Sequence, residues 1–223
     1  MGRNRRREAM LQAAIGLFSD KGYHATTVRE IAQAVGILPG SLYAHMASKE
    51  DLLYEAVVQA SERFREAVAP IAESPGHAGE RLRQAMAAHI RVVAESPAAA
   101  TVFLHEWRAL SPQRRAMAVA HRRAYEELLA RIIREGVESG VFRPVDEKFV
   151  RLLVLSAVNW TYQWYRADGP LSPEQVADQF YAIIAGGLLR NAADPGSAAL
   201  PASADGEPAQ QGPSRVAAGG ESG

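Results

Sequence analysis

The chain has no cysteine, few aromatic residues and no long apolar run. Without cysteine among its 223 residues, disulfide frameworks, thiolate metal sites and cysteine nucleophiles are excluded. The most apolar run, residues 152–160, is broken by Ser156 and Asn159 and is too short for a transmembrane helix. Glu8 and Asp20 interrupt the segment after the N-terminal arginines, which argues against a signal peptide. We therefore expect a cytoplasmic protein with no membrane segment.

Acidic and basic side chains balance at 25 each, but they are unevenly distributed. Residues 1–49 carry seven basic and three acidic side chains, a net charge of +4, so the remaining residues carry −4. A basic N-terminal portion on an acidic body favours a small module that binds a polyanion such as nucleic acid. The hydrophobic share of 48% and the length indicate one large or two small globular domains.

Apolar residues recur at helical spacing as far as about residue 190, and no alternating strand pattern is present. The segment from Thr27 to Glu30 predicts a capping box that opens a short second helix, and Gly36 predicts its end. Pro39 suits the first position of a third short helix that ends near His45, and Ser48 is expected to cap a fourth, longer helix. Two short helices joined by a turn predict a helix-turn-helix, whose second helix enters the DNA major groove.

The segment from Phe18 to Leu53 carries the most specific pattern. It reads F-x3-G-Y-x2-T-T-V-x2-I-A-x3-G-I-x2-G-S-L-Y-x-H-x2-S-K-E-x-L-L. This pattern resembles the DNA-binding domain of the TetR family of bacterial transcriptional regulators. It departs from the usual family pattern at Leu38, where a capping serine is common, and at Met46, where phenylalanine is usual. Methionine fills irregular space, so the second departure is compatible with the same core.

Hydroxyl groups, helix N-termini and lysine side chains hold DNA phosphates, whereas small or apolar side chains on the recognition helix meet base edges. With the family resemblance, this chemistry assigns DNA contacts to Arg5, Arg6, Thr26, Thr27, Leu38, Gly40, Ser41, Tyr43, Ala44, His45 and Lys49. Gly40 is expected to let the recognition helix approach the groove closely. A core position is the alternative for Tyr43. The N-terminal arginines either enter a minor groove or stay solvated.

The resemblance implies an all-α fold with two domains: an N-terminal three-helix DNA-binding domain over residues 1–50 and a helical bundle for effector binding and dimerisation over residues 51–190. On the final helix an apolar stripe is expected at the dimer interface, with intrachain packing as the alternative. Its residues are Val176, Phe180, Ile183, Ile184, Gly187 and Leu188. Residues 191–223 are rich in alanine, glycine and proline and are expected to be a disordered tail.

Residues 103–108 and 159–166 resemble a narrower group, the KstR-like branch of the family, which responds to acyl-CoA thioesters. Trp160 and Trp164 are four residues apart and are expected to share a helix face that forms an apolar wall for the effector. Gln163 is expected to orient a polar group, and Arg122 to meet phosphates. The alternative is that both tryptophans are core or dimer residues.

Catalytic patterns are absent from the sequence. The segment from His105 to Ala109 begins like the H-E-x-x-H zinc motif but has alanine in place of the second histidine. The six histidines form no i, i+3 or i+4 pair, and no phosphate-cradling glycine loop is present. We therefore expect no enzyme activity, no metal and no cofactor.

These features predict a homodimeric transcriptional regulator that binds a pseudo-palindromic double-stranded DNA operator. A repressor is favoured over an activator, with release when a small hydrophobic effector binds, such as an acyl-CoA of lipid or sterol catabolism. The fourth helix is expected to belong to both domains and to act as the lever between them. The alternative is a helical lipid-ligand-binding protein without operator binding, which would lack salt-dependent affinity for duplex DNA.

Overall fold

The computed structural model describes residues 2–42 and 48–188, and every regular element within them is helical. A short 3₁₀ helix, Glu106–Ala109, joins α6 to α7. The α-helices are α1 (Gly2–Lys21), α2 (Val28–Ala34), α3 (Pro39–Leu42), α4 (Lys49–Glu73), α5 (Ala78–Glu95), α6 (Pro97–His105), α7 (Pro112–Glu138), α8 (Glu147–Asn159), α9 (Thr161–Trp164) and α10 (Pro173–Leu188). The predicted all-α fold is confirmed. None of the helices in this part of the chain is long and apolar enough to cross a membrane.

Local sequence signals mark the end of α1, both ends of α2 and the start of α3. The N–H of Glu30 donates to the Thr27 hydroxyl at 3.2 Å, and the N–H of Thr27 donates to the Glu30 carboxylate at 2.8 Å, which confirms the capping box of α2. Gly22 and Gly36 have φ values of +85° and +69°, a region that favours glycine and here ends α1 and α2. Pro39 opens α3 as expected. Tyr43, Ala44 and His45 lie outside the described residues.

Helix α4 connects the two halves of the chain. Ser48 and Asp51 form a second capping box at its start, so the 25-residue helix begins beside the helix-turn-helix. Its first half packs on α1, and it also packs along α5 and α7. One continuous helix therefore packs against elements of both halves and links them structurally.

Helices α4, α5 and α7 form the centre of the C-terminal part, and α10 covers α5. α8 packs against α5 and α7. Gly136 on α7 lies against the buried ring of Phe142, which follows the turn at Gly140, and a Cβ at Gly136 would collide with that ring. Glycine at this position therefore allows the chain after α7 to fold back onto the helix.

Two helices are shorter than the sequence predicts, since the cap at Asp146 and the break at Gly169 predict a helix to about residue 167, and Pro97 predicts a helix to about residue 110. The helix expected from residue 146 to about residue 167 ends at Asn159, because the Thr161 hydroxyl donates to the Val158 carbonyl at 2.6 Å and competes for the acceptor that continues the helix. α9 then makes a single turn, and Tyr165 is extended. The helix expected to run from Pro97 to about residue 110 likewise ends at His105 in the 3₁₀ helix. The expected tail, residues 191–223, lies outside the described residues.

Candidate DNA-binding and effector sites

The turn and start of α3 form an exposed surface. The Leu38 side chain is 76% exposed, and Gly40 and Ser41 beside it are exposed as well. A shallow depression of about 500 Å³ lies between α2 and this turn and is lined by Arg29, Gln33, Gly36, Ile37, Leu38 and Pro39. Among residues 2–42 and 48–188, a Cβ at Gly40 would meet no atom within 4 Å, so packing within this part of the chain does not explain the glycine. The surface offers an apolar side chain and a guanidinium to a partner outside the chain.

The N-terminal arginines lie on α1, because the helix extends back to Gly2 rather than starting near Arg5. Arginine has a high helix propensity, which favours this extension. Arg5 and Arg6 are exposed. Arg7 instead forms an ion pair with Glu55 of α4 at 2.9 Å. The first two arginines therefore stay available to a polyanion, whereas the third ties α1 to α4.

Thr26 and Lys49 have internal partners, which corrects the expectation that they form part of a phosphate clamp. Thr26 is 1% exposed, and its hydroxyl donates to the Gly22 carbonyl at 2.9 Å. Lys49 Nζ donates to the carbonyls of Tyr23 and Thr26 at 2.7 and 2.6 Å and lies 4.1 Å from the centre of the Tyr23 ring. Burial lowers the pKa of Lys49. Both residues hold the turn between α1 and α2 against α4, and Thr27 caps α2.

Polar contacts join this helix-turn-helix to the 3₁₀ helix and to the start of α7. Glu106 Oε2 accepts a hydrogen bond from the Tyr23 N–H at 2.8 Å. Glu50 accepts a hydrogen bond from the Ser111 N–H at 2.8 Å, and hydrogen bonds from Ser111 lower the Glu50 pKa. Arg114 forms an ion pair with Asp51. The start of α4 is thus held to the effector-side helices by charged hydrogen bonds.

The centre of the C-terminal part is an aromatic cluster around His89. The rings of Phe64 and His89 stack with their centres 4.4 Å apart, and Phe103 and Tyr125 pack against Phe64. His89 Nδ1 lies 2.6 Å from the Tyr125 hydroxyl. Burial lowers the pKa of His89 to about 3 and raises that of Tyr125, so both groups are neutral at neutral pH. The described residues contain no group of three or more histidine, aspartate or glutamate side chains that could hold a metal ion.

Arg122, which is expected to meet phosphates, lies against the aromatic rings of this interior. Its guanidinium donates to the Phe103 carbonyl at 3.1 Å, and the guanidinium carbon lies 4.8 Å from the Phe103 ring centre and 5.2 Å from that of Trp107. Desolvation lowers its pKa. Nowhere in residues 5–41 and 48–188 does a carboxylate form an ion pair with it. Arg122 is therefore a cation held by aromatic rings and one carbonyl.

The other three expected effector residues are exposed. Because α8 ends at Asn159, Trp160 and Trp164 do not share the face of one continuous helix, which corrects that expectation. Trp160 is 60% exposed and continues the outer face of α8. Trp164 lies edge-on to Phe180 of α10 at 6.1 Å, and Gln163 faces solvent. These side chains lie at the surface, whereas Arg122 lies in the interior.

The expected dimer stripe on α10 divides into two faces. Val176, Ile184 and Leu188 are buried within the chain because this side of α10 packs on α5, which corrects their assignment to a dimer interface. Ile183 is 76% exposed, Gly187 is exposed, and Phe180 is half-buried. A second exposed apolar face, not expected from the sequence, lies on α8. It consists of Phe149, Leu152, Leu153 and Trp160, at helical spacing that the sequence displays.

Two family models match the chain on either side of the middle of α4. The model for the N-terminal region of bacterial regulatory proteins of the tetR family matches residues 10–56, and the model for the tetracyclin repressor-like C-terminal domain matches residues 75–188. The chain belongs to the TetR family. As a TetR-family protein it is a transcriptional regulator, in agreement with the function expected from its helix-turn-helix.

This TetR-family protein matches three relatives over nearly the whole length of each relative. The transcriptional repressor KstR2 of Mycobacterium tuberculosis is 32% identical over 189 residues, which are 84% of this chain and 94% of KstR2, and its crystal structure superposes with a TM-score of 0.76. PfmR of Thermus thermophilus is 40% identical, with a TM-score of 0.74 and coverage of 81% and 99%. AibR, solved with isovaleryl coenzyme A and operator DNA, is 31% identical, with a TM-score of 0.73 and coverage of 80% and 97%. The predicted resemblance to the KstR-like branch is confirmed.

Sequence reasoning missed Arg29 on α2 and the exposed face of α8. Arg29 is a solvent-exposed base on the rim of the depression beside Leu38. Its position two residues after the cap of α2, Thr27, was readable from the sequence, but propensity alone does not show which side of a two-turn helix is buried. The same limit applied to α8, which carries apolar residues on more than one side.

Proposed function

We propose that this regulator is a homodimeric repressor that leaves its pseudo-palindromic operator when an acyl-CoA thioester binds the C-terminal domain. The exposed, unpartnered surface at Leu38, Gly40 and Ser41 carries the proposal for DNA. The relatives support the rest: KstR2 is named a repressor, and AibR was crystallised with both isovaleryl coenzyme A and operator DNA.

On DNA, Leu38 contacts thymine methyl groups and Ser41 contacts a base edge or phosphate. Arg29, at the rim of the same depression, contacts a phosphate together with the helix N-terminus at Thr27. Arg5 and Arg6 reach the flanking backbone or minor groove from α1. Tyr43, Ala44 and His45 keep the contacts that the family pattern implies for them.

Dimerisation uses the exposed face of α8 together with Ile183 and Gly187 of α10. In a dimer with a two-fold axis through this surface, each apolar face packs against the same surface of the second subunit. An isologous interface buries the same patch on both subunits. Leu153→Glu is expected to yield monomers by sedimentation velocity because it places a charge in the interface. The matched control is Met117→Glu, on an exposed apolar side chain of α7. A Leu153→Glu protein that remains dimeric would show that the dimer interface does not lie on this face of α8.

The acyl chain enters the aromatic interior of the C-terminal domain, where Phe64 and Phe103 supply apolar contact. Arg122 is the cation nearest to this interior. Gln163 and Trp164 on α9 lie at its surface and contact the part of the effector that remains outside. Trp160 is assigned to the dimer interface, because its exposed side chain lies on the same face as Phe149, Leu152 and Leu153.

Release follows from linkage between the two sites. An effector that prefers a conformation with wrongly spaced recognition helices weakens DNA binding by its differential affinity, about 1 to 3 kcal/mol for typical allosteric coupling. Half-sites about 34 to 36 Å apart, or multiples of this, satisfy a two-fold dimer. α4 and the Glu106 contact to Tyr23 carry the displacement to the helix-turn-helix.

The decisive experiment titrates the protein with the promoter duplex upstream of its own gene, at several salt concentrations, and then adds acyl-CoAs of increasing chain length. We expect tight, salt-sensitive binding that an acyl-CoA reverses and free coenzyme A does not. Arg29→Gln is expected to weaken binding to all duplexes and to reduce the salt slope by about one, whereas Leu38→Ala reduces the preference for operator over scrambled DNA. Operator binding insensitive to every thioester would refute the effector class. No binding at low salt would favour a lipid-ligand-binding protein.

A further inference from the structure

The indole N–H of Trp107 is a buried donor without an acceptor. The residue is 8% exposed, and its Nε1 has no hydrogen-bond partner in the described parts of the chain. Buried polar groups in folded proteins are almost always paired, because an unpaired one loses its hydration without compensation. The N–H of Trp107 therefore indicates a place where an acceptor from outside the chain can bind.

Two guanidinium groups lie against the same ring. The guanidinium carbons of Arg108 and Arg122 are 5.1 and 5.2 Å from the centre of the Trp107 ring. Neither arginine has an ion pair with a carboxylate within the described ranges, although three arginines of α7 do: Arg114, Arg131 and Arg134. Two unpaired cations next to one unpaired donor form a site with the chemistry of an anion receptor.

The nearby carboxylates have partners of their own. Glu106 Oε2 binds the Tyr23 N–H, and Glu126 pairs with Arg151 at 2.8 Å. Burial and the charges of Arg108 and Arg122 lower the pKa of His105, while the charge of Glu106 opposes this shift. The guanidinium of Arg115 donates to the Arg108 carbonyl at 2.6 Å, which holds the backbone of the 3₁₀ helix in place. The charge of Glu126 still acts on Arg122 and favours its charged form, so nearby carboxylates partly balance the two guanidinium groups, but none forms a direct ion pair with them in the described residues.

We propose that Trp107, Arg108 and Arg122 form an anion-binding site that takes phosphate groups of the coenzyme A moiety of the effector. The identity of the ligand rests on the proposed function, whereas the site itself rests on the unpaired donors. Guanidinium groups bind phosphate oxygens in pairs of parallel hydrogen bonds, and the indole N–H supplies a third donor. A phosphate here lies one residue from Glu106, so its binding acts directly on the segment that holds Tyr23.

Arg108→Gln tests the site because Arg108 is exposed and its removal leaves the interior intact. The matched control is Arg123→Gln, an exposed arginine of α7 with the same loss of charge. Calorimetric titrations use octanoyl-CoA, octanoate and adenosine 3′,5′-bisphosphate, the phosphorylated end of coenzyme A. We expect Arg108→Gln to weaken binding of octanoyl-CoA and the bisphosphate about tenfold, as loss of a charge-assisted contact does. Binding of octanoate and of operator should be unchanged.

Trp107→Phe keeps an aromatic ring but removes the N–H together with the pyrrole part of the indole, and it should weaken bisphosphate binding with little effect on octanoate. Equal binding of octanoyl-CoA to wild-type protein, Arg108→Gln and Arg123→Gln would overturn the site and leave the proposed effector class standing. If wild-type protein binds no acyl-CoA, the proposed effector is wrong, and the bisphosphate alone decides the site. Bisphosphate binding by the wild-type protein that is lost in Arg108→Gln supports the anion site. No bisphosphate binding by the wild-type protein overturns the anion site.

Discussion

The backbone N–H of Tyr23 donates to Glu106 Oε2 over 2.8 Å, across 83 positions of sequence. Tyr23 belongs to the turn between α1 and α2, and Glu106 opens the 3₁₀ helix next to the aromatic interior. Gly22 is required by its backbone conformation, φ of +85°, and not by space, since a Cβ there would lie at an ordinary contact distance of 3.9 Å from both carboxylate oxygens. This contact joins the turn between α1 and α2 to the 3₁₀ helix by a charged hydrogen bond.

Glu106→Ala is expected to uncouple the two sites in part. Loss of a hydrogen bond to a charged group costs about 1.5 to 3 kcal/mol, and the turn that positions α2 loses its support. Fluorescence anisotropy should show weaker operator binding and a smaller ratio of operator Kd values with and without effector. Glu138→Ala, on an exposed acid of α7, is the control. An unchanged ratio in Glu106→Ala would show that coupling runs through α4 alone.

Thr27→Ala should lower the free energy of unfolding by about 1 kcal/mol because α2 loses its N-cap. Thr27→Ser keeps the hydroxyl and should restore most of the stability. Urea denaturation at neutral pH measures both. Equal stability of the alanine and wild-type proteins would mean that α2 does not unfold with the rest of the chain.

Gly136→Ala is expected to destabilise the protein by about 1 to 3 kcal/mol, because the new methyl group overlaps the buried Phe142 ring. Gly16→Ala is the matched control on α1, where a Cβ meets no atom within 4 Å. There the better helix propensity of alanine should stabilise by up to about 1 kcal/mol. Thermal unfolding should therefore separate the two variants in opposite directions. A shift of the same sign in both would contradict the packing at Phe142.

The stability of the protein should fall on mild acidification because of His89. Its pKa of about 3 lies below the value of about 6.5 in an unfolded chain, so only the unfolded state takes up a proton as the pH falls below 6.5. This contribution is complete above pH 6.5 and decreases by about 1.4 kcal/mol per pH unit toward pH 3. His89→Gln removes the titrating group. Denaturation between pH 7 and 5 should show a smaller slope for the variant, and parallel slopes would argue against a buried neutral imidazole.

Features that depend on a few neighbouring residues were readable from the sequence. The capping boxes at Thr27 and Ser48 and the glycine that ends α1 involve only local hydrogen bonds and backbone conformation. The inward turn of Arg122 and the burial of Thr26 depend on residues 19 and 9 positions away, Phe103 and Leu17, whose proximity follows from the tertiary fold. Periodicity shows that α10 has an apolar face. It does not show which apolar residues the chain itself covers.

With the exposed apolar face of α8 as the proposed dimer interface, the amount of protein becomes part of its regulation. If two copies must pair before a two-fold operator is filled, occupancy at low copy number rises with the square of the monomer concentration rather than in proportion to it. Folding and pairing are then linked by mass action, so dilution lowers both thermal stability and promoter occupancy. A cell that makes slightly more of this chain would tighten control over its promoter disproportionately.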